Sequence, residues 1–299
     1  MDTSKFKGII APIVSPCDEA DELDEAALET QFARLLASGV NGLYINGGTG
    51  DGSRLTTGER KHVAELLVPR LKAAGKCSIV HVGQTHLRAA VELAEHAAAI
   101  GADAVASIPP DGSWDEIVSW YEALAKAGLP VFVYYIPGVT KKTAGLAELR
   151  RILDVPGVLG IKMSDWNLFL LRQVKLAYPE KVVYSGYDEM LSLGLFYGAD
   201  GSIGTWANLL PDMYAKVYAL VQAGRYNDVI PVQEAFTEFL AICWDYGVID
   251  AFEELMRAKG WASRCLRRPT TWDPGKLPAD VVADLLARID SINALADSI

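Results

Sequence analysis

The sequence of 299 residues is 51% apolar and carries 28 basic against 38 acidic side chains, a formal net charge of −10. That charge excludes a polyanion-binding protein unless a local basic patch overrides it, and no run approaches the ~20 apolar residues of a membrane-spanning helix. The length suits one α/β barrel of about 250 residues with an appendage.

The chain opens Met1-Asp2-Thr3-Ser4-Lys5-Phe6-Lys7-Gly8 and runs into a strand pattern without the hydrophobic stretch of a signal peptide, so export is not expected. Short runs rich in β-branched and aromatic residues then alternate with longer segments of helical period, as in repeated βα units. The predicted strands are 8–15, 42–47, 78–83, 103–109, 130–137, 158–164, 182–188 and 201–206. Their near-continuous apolar character fits burial on both faces of a parallel sheet. Thr56-Thr57-Gly58-Glu59 forms a capping box for the second helix, and Gly39, Gly75, Gly101 and Gly128 fall where helices should stop. The pattern predicts a TIM (β/α)8 barrel over 1–224 and a C-terminal helical extension over 225–299.

In such barrels the chemistry lies where the βα loops converge at the C-terminal ends of the strands. The second strand ends in Asn46-Gly47-Gly48-Thr49-Gly50-Asp51-Gly52, whose freed backbone N–H groups and Thr49 hydroxyl suit a carboxylate. The third carries His81, read as a core residue. With His62, His86 and His96 it makes no ligand constellation, so no metal is predicted. On the fifth strand, alternation sends Tyr134 and Tyr135 to opposite faces, so one phenol enters the barrel. On the sixth, Gly160, Lys162 and Ser164 share a face, which points the lysine inward. An inward ammonium is either one half of a structural ion pair or a nucleophile whose neutral form is favoured by desolvation. The seventh strand ends in Gly186-Tyr187-Asp188-Glu189, an acidic pair that either receives substrate hydroxyls or caps the following helix.

Beyond the barrel, Arg264, Arg267 and Arg268 form a short basic cluster, read as solvated surface, and nucleic acid is not expected as a partner. Cys17, Cys77, Cys243 and Cys265 are far apart and include no Cys-x-x-Cys pair. This predicts neither a disulfide framework nor a thiolate zinc site and fits a reducing cytoplasm.

The Gly47-Gly48-Thr49-Gly50-Asp51 loop, Tyr134-x-x-Pro137, Gly160-x-Lys162-x-Ser164, Gly186-Tyr187-Asp188-Glu189 and Gly198-Ala199-Asp200-Gly201-Ser202-Ile203-Gly204 occur together in an order and spacing that resemble the dihydrodipicolinate synthase/N-acetylneuraminate lyase family. The resemblance implies a homotetrameric class I aldolase-type barrel that needs no cofactor beyond a covalent Schiff base on Lys162. It further implies that Tyr134 shuttles protons, that Thr49 and the backbone of Gly48 hold a pyruvate carboxylate, and that the carbonyl of Ile203 faces the bound 2-oxo acid.

Departures from the family pattern narrow the choice. Gly48 stands where relatives carry a relay hydroxyl, and Ile108-Pro109-Pro110-Asp111-Gly112-Ser113-Trp114 lacks a tyrosine that completes the relay from a neighbouring subunit. Val139 falls where dihydrodipicolinate synthases have an arginine for a second carboxylate, which disfavours 4-hydroxy-tetrahydrodipicolinate synthase activity. Gly186-Tyr187-Asp188-Glu189 looks like the sialate lyase pattern, in which Asp188, Glu189 and Thr205 would receive sugar hydroxyls. The expected function is therefore a pyruvate-type lyase acting on a polyhydroxylated 2-oxo acid. A sugar-acid dehydratase, which the Gly-Gly-Thr-Gly loop also resembles, and a non-catalytic 2-oxo-acid-binding barrel are the alternatives.

Overall fold

The computed structural model describes residues 3–270 and 272–299; Met1 and Asp2, within the N-terminal stretch read above, and Thr271 lie outside the described residues. Eight parallel strands pair in sequence order and close through β1 and β8: β1 (Gly8–Pro12), β2 (Gly42–Ile45), β3 (Cys77–His81), β4 (Ala104–Ser107), β5 (Val131–Tyr135), β6 (Val158–Met163), β7 (Val182–Ser185) and β8 (Gly201–Ser202). Around them run α1 (Glu25–Ala37), α2 (Thr57–Ala73), α3 (Leu87–Ala99), α4 (Trp114–Ala125), α5 (Pro137–Thr140), α6 (Leu146–Leu153), α7 (Leu168–Ala177), α8 (Leu191–Phe196) and α9 (Pro211–Gln222). The extension adds α10 (Tyr226–Tyr246), α11 (Val248–Ala258) and α12 (Ala279–Ser298).

Strand alternation divides the apolar residues between two layers. Ile10, Tyr44, Ile79, Phe132 and Tyr184 fill the barrel interior. Ile9, Leu43, Val80, Val133 and Val183 face outward into the shell of helices. Neighbouring strands approach in places so closely that only glycine fits between them. A Cβ on Gly160 would lie 2.1 Å from the carbonyl oxygen of Val182, and one on Gly201 would lie 1.9 Å from that of Gly8.

The ladders are shorter than the apolar runs. Ile13 and Val14 are buried beyond the end of β1, and β8 is only Gly201–Ser202 although Ile203 and Trp206 are buried after it. Hydrophobic patterning reports burial, and the βα loops of a barrel are buried too. The Thr56–Glu59 capping box is present, and Gly75, Gly101 and Gly128 end their helices with φ of +67°, +82° and +88°. Gly39 follows α1 after a Ser38 cap.

The extension shares the barrel's outer core. Trp206 meets Phe239 and Phe252 edge-on, with centroids 4.9 and 5.6 Å apart, and Tyr214 meets Phe236 at 5.8 Å. The reading of the basic cluster as solvated surface is corrected here: Arg264 and Arg267 are buried, and Arg268 alone is exposed. Arg267 bonds the Ser15 carbonyl through its side chain, and its backbone N–H donates to Asp51 at 2.9 Å, while Arg264 pairs with Asp21 at 3.3 Å. Acidic residues 200 or more positions away in sequence bury these cations, and local composition carries no trace of such partners. All four cysteines are free and buried, and no helix among the described residues is long and apolar enough to cross a membrane.

Candidate active site

At the C-terminal mouth of the barrel a cavity of about 310 Å³ is lined by Gly48, Thr49, Tyr134, Lys162, Asp188, Glu189, Ile203 and Thr205, the eight residues singled out from the sequence. The strands account for the convergence. Tyr134 and Lys162 are register partners across β5 and β6, both pointing inward, while Tyr135 turns outward and accepts a hydrogen bond from the Ala144 N–H.

Lys162 is buried, and its ammonium makes no hydrogen bond or ion pair among the described residues. Its Nζ lies 4.1 Å from the centroid of the Tyr134 ring and 5.1 Å from that of Tyr44. A structural ion pair is therefore not what holds this lysine. Gly186 makes room for it: a Cβ there would lie 3.1 Å from the Lys162 Cε and 2.2 Å from the Ser164 Oγ. Ser164 in turn places its hydroxyl 3.5 Å from the Tyr134 phenol.

The loop after β2 turns back on itself, with Asp51 N–H donating to the Gly48 carbonyl and Gly52 N–H to that of Gly47. Thr49 and Thr205 bond hydroxyl to hydroxyl at 2.8 Å, joining this loop to the segment after β8. Beside Gly48 the space is open: an added Cβ would meet nothing within 4 Å.

Beneath the site, His81 Nε2 accepts the Ile108 N–H, and burial followed by the nearby Arg60 cation holds the imidazole well below its ordinary pKa, hence neutral. It is a core residue, as read from the sequence. Among the described residues no group of three or more His, Cys, Asp or Glu side chains is arranged to hold a metal ion.

Asp188 and Glu189 differ. The Asp188 carboxylate accepts the N–H groups of Thr205 and Trp206 at 3.1 Å each and the Tyr214 hydroxyl, so it caps the turn after β8 rather than the helix that follows it in sequence. Burial lifts its pKa to about 6 despite these donors. Glu189 is accessible and accepts the indole N–H of Trp244 at 2.7 Å.

Sequence reasoning missed the outer wall. Tyr187 and Ile136 line the cavity from the barrel loops, and Trp244, Val248, Ile249, Phe252, Glu253, Cys265 and Leu266 line it from the extension. In sequence the helical residues of the extension read as ordinary helix-packing residues, and Ile136 and Tyr187 were seen only as parts of a strand and of the Gly186-Tyr187-Asp188-Glu189 motif. Glu253 is the unusual one. It is buried, with one carboxyl oxygen accepting the Cys265 N–H at 2.8 Å and the other unpartnered among the described residues, and burial raises its pKa from 4.5 to about 7. A raised carboxyl contributes stability below its unfolded pKa, and that contribution is lost as pH rises through the folded value. The loss for Glu253 falls between about pH 4.5 and pH 7 and amounts to about 3 kcal/mol. We expect Glu253→Gln to melt on the order of 5 °C above the wild type at alkaline pH, with the difference vanishing in acid below the unfolded pKa. Thermal melts across that range check this, and a constant offset would contradict the assignment.

Known proteins can now be set beside this geometry. The model of the dihydrodipicolinate synthetase family matches residues 5–277. The chain belongs to that family. Within the dihydrodipicolinate synthetase family, the N-acetylneuraminate lyases of Salmonella typhimurium and Salmonella newport are each 33% identical over 239 residues, covering 78% of this chain and 79% of theirs. This agrees with the sialate lyase branch read from Gly186-Tyr187-Asp188-Glu189. Among solved structures, the sialic acid aldolase of Ruminococcus gnavus superposes with a TM-score of 0.90 at 22% identity, covering 97% of this chain and 99% of that one. The N-acetylneuraminate lyase of Fusobacterium nucleatum complexed with pyruvate gives 0.88 at 23%, covering 96% and 98%. At that identity the two superpositions establish the shared barrel.

Proposed function

We propose that this protein is a Schiff-base lyase that cleaves a polyhydroxylated 2-oxo acid to pyruvate and an aldehyde, in the manner of the N-acetylneuraminate lyases to which it is similar. The observation that carries the reading is Lys162, a buried amine without an acid partner among the described residues, facing a cavity beside the Tyr134 phenol. The amine of Lys162 attacks the C2 carbonyl and water is expelled to form an iminium. The iminium draws electrons from the C3–C4 bond. Tyr134 relays the proton of the C4 hydroxyl as that bond breaks, accepting it while its own phenolic proton passes to the substrate carboxylate, which releases the aldehyde and leaves an enamine on Lys162. Returning the proton to C3 and adding water to the iminium frees pyruvate and the lysine. The sequence is redox-neutral and draws on no separate cofactor.

In this reading Thr49 and the backbone at Gly48 hold the carboxylate, the Ile203 carbonyl faces the 2-oxo acid, and Glu189, Thr205 and Asp188 serve its hydroxyls. Their presence around one cavity supports these roles. The reading also includes a homotetramer, from the family resemblance, and a cytoplasmic location, which fits four free cysteines. It is tested by reducing the protein with borohydride in the presence of pyruvate and mapping the added mass. The expected adduct is a reduced pyruvoyl group on the Lys162 peptide; an adduct elsewhere, or none, overturns the mechanism. Parallel assays of sugar-derived 2-oxo acids should register release of pyruvate rather than loss of water.

A further inference from the structure

α11 buries three acidic side chains, Asp250, Glu253 and Glu254, among Ala251, Phe252, Leu255 and Met256. Two of the acids are fully committed to the protein. Asp250 accepts the Asp273 N–H with one oxygen and the Lys276 ammonium with the other, and Glu254 divides its oxygens between the Gly275 N–H and the Arg257 guanidinium. Glu253 is only half-paired. Its Oε2 accepts the Cys265 N–H at 2.8 Å, while its Oε1 is buried without a partner among the described residues. A carboxyl oxygen shut away from water without a donor costs free energy that a fold normally recovers with a hydrogen bond. Glu253 is also the one of the three acids that lines the cavity holding Lys162, where Val248, Ile249, Phe252 and Leu266 stand with it in the wall. Those side chains carry no donor. A molecule that fills the cavity can supply one.

We propose that Glu253 is a specificity-determining residue that hydrogen-bonds a substrate hydroxyl on the aldehyde side of the cleaved bond, at C5 or beyond. This rests on the lyase reading, which fixes the position: the pyruvate part carries no hydroxyl, and the C4 hydroxyl is the one that Tyr134 serves. A hydroxyl suits the place better than an ammonium, because Arg264 already stands near Glu253 as a cation and the wall around it is apolar. The contact adds to the acceptors at the mouth, where Asp188 takes three donors from the protein and Glu189 has one oxygen on the Trp244 indole.

The test uses 2-oxo acids of six and of nine carbons, each made with hydroxyls from C4 to its end or at C4 alone. Dissociation constants are measured by calorimetry on the full-length Lys162→Ala variant, which cannot turn them over, with and without Glu253→Leu, and pyruvate release is measured on the wild type. At one or both lengths, Glu253→Leu should weaken the fully hydroxylated acid about 10-fold and leave the acid hydroxylated at C4 alone unchanged. In the protein that keeps Lys162, Glu253→Leu should leave borohydride trapping of pyruvate as it was. An equal effect on both acids, no effect on either, or a loss of trapping overturns the proposal. Glu253→Leu strands the Cys265 N–H and can cost the fold, so a crystal structure of Lys162→Ala with a fully hydroxylated acid decides without touching Glu253. A hydroxyl within ~3.2 Å of the Glu253 carboxyl is expected. A bound acid whose hydroxyls all lie elsewhere overturns the proposal. A Glu253-dependent preference without pyruvate release from any of these acids would sink the lyase reading and leave the contact standing, and release without the preference would do the reverse. No binding by any of them would overturn both.

Discussion

Lys162→Ala should abolish pyruvate trapping and lower turnover by about 10⁴-fold or more, since among the described residues Lys162 is the one lysine lining the cavity. The structure makes a second, independent demand on this variant. Removing one partner of a buried ion pair normally destabilises a protein strongly, because the remaining charge is stranded. The Lys162 ammonium has no acid partner among the described residues; its neighbours are the faces of Tyr134 and Tyr44. Its removal therefore strands no partner charge, so the melting temperature should hold. Activity lost together with stability would mean that the lysine is part of the scaffold, and the mechanism would need another nucleophile.

Tyr134→Phe should lower kcat by about 10²–10⁴-fold, equivalent to ~3–5 kcal/mol of barrier, with a smaller change in KM. The phenylalanine ring keeps the packing beside Lys162 and the edge-on contact with Tyr44 at 6.3 Å, so the loss can be ascribed to the hydroxyl. In the proposed reading carboxylate binding belongs to the loop after β2, which the substitution does not touch. The phenol should carry most of the proton traffic because Gly48 offers no side chain and the 108–114 loop no tyrosine. Since a Cβ at Gly48 meets open space, Gly48→Thr can be built without repacking and should raise kcat by supplying the hydroxyl found in relatives. Near-normal turnover in Tyr134→Phe would assign the proton transfer to another group and overturn the mechanism at its central step.

Much of this was legible in the sequence, for a physical reason. A barrel strand is buried on both faces, so its composition announces it, and an inward-facing polar residue at its C-terminal end lies at the mouth of the barrel. Lys162, Tyr134 and the Gly48–Thr49 loop were found in that way. The ends of the strands were not, because Ile13, Val14 and Ile203 are as buried as their neighbours in the ladder. Nor was the wall contributed by α10 and α11. Val248, Ile249 and Phe252 have the spacing of any helix packing on a core, and only the assembled fold leaves Ile249 at the rim. Arg264 and Arg267 were misjudged because a charge run reads as solvent-facing until its partners, Asp21 and Asp51, arrive from the other end of the chain. Asp188 is committed by Tyr214 and the turn after β8, partners that nothing in Gly186-Tyr187-Asp188-Glu189 announces.

The bond from the Arg267 N–H to Asp51 spans 216 residues and fastens the extension onto the loop that carries Gly48 and Thr49. Contacts of such sequence separation form late, after the loop-closure entropy between them has been overcome. During synthesis the eight strands and their helices emerge from the ribosome well before Arg267 does, so a nascent barrel exists for a time with the loop after β2 unfastened. The mouth of the cavity is therefore complete only once the extension has docked on the barrel.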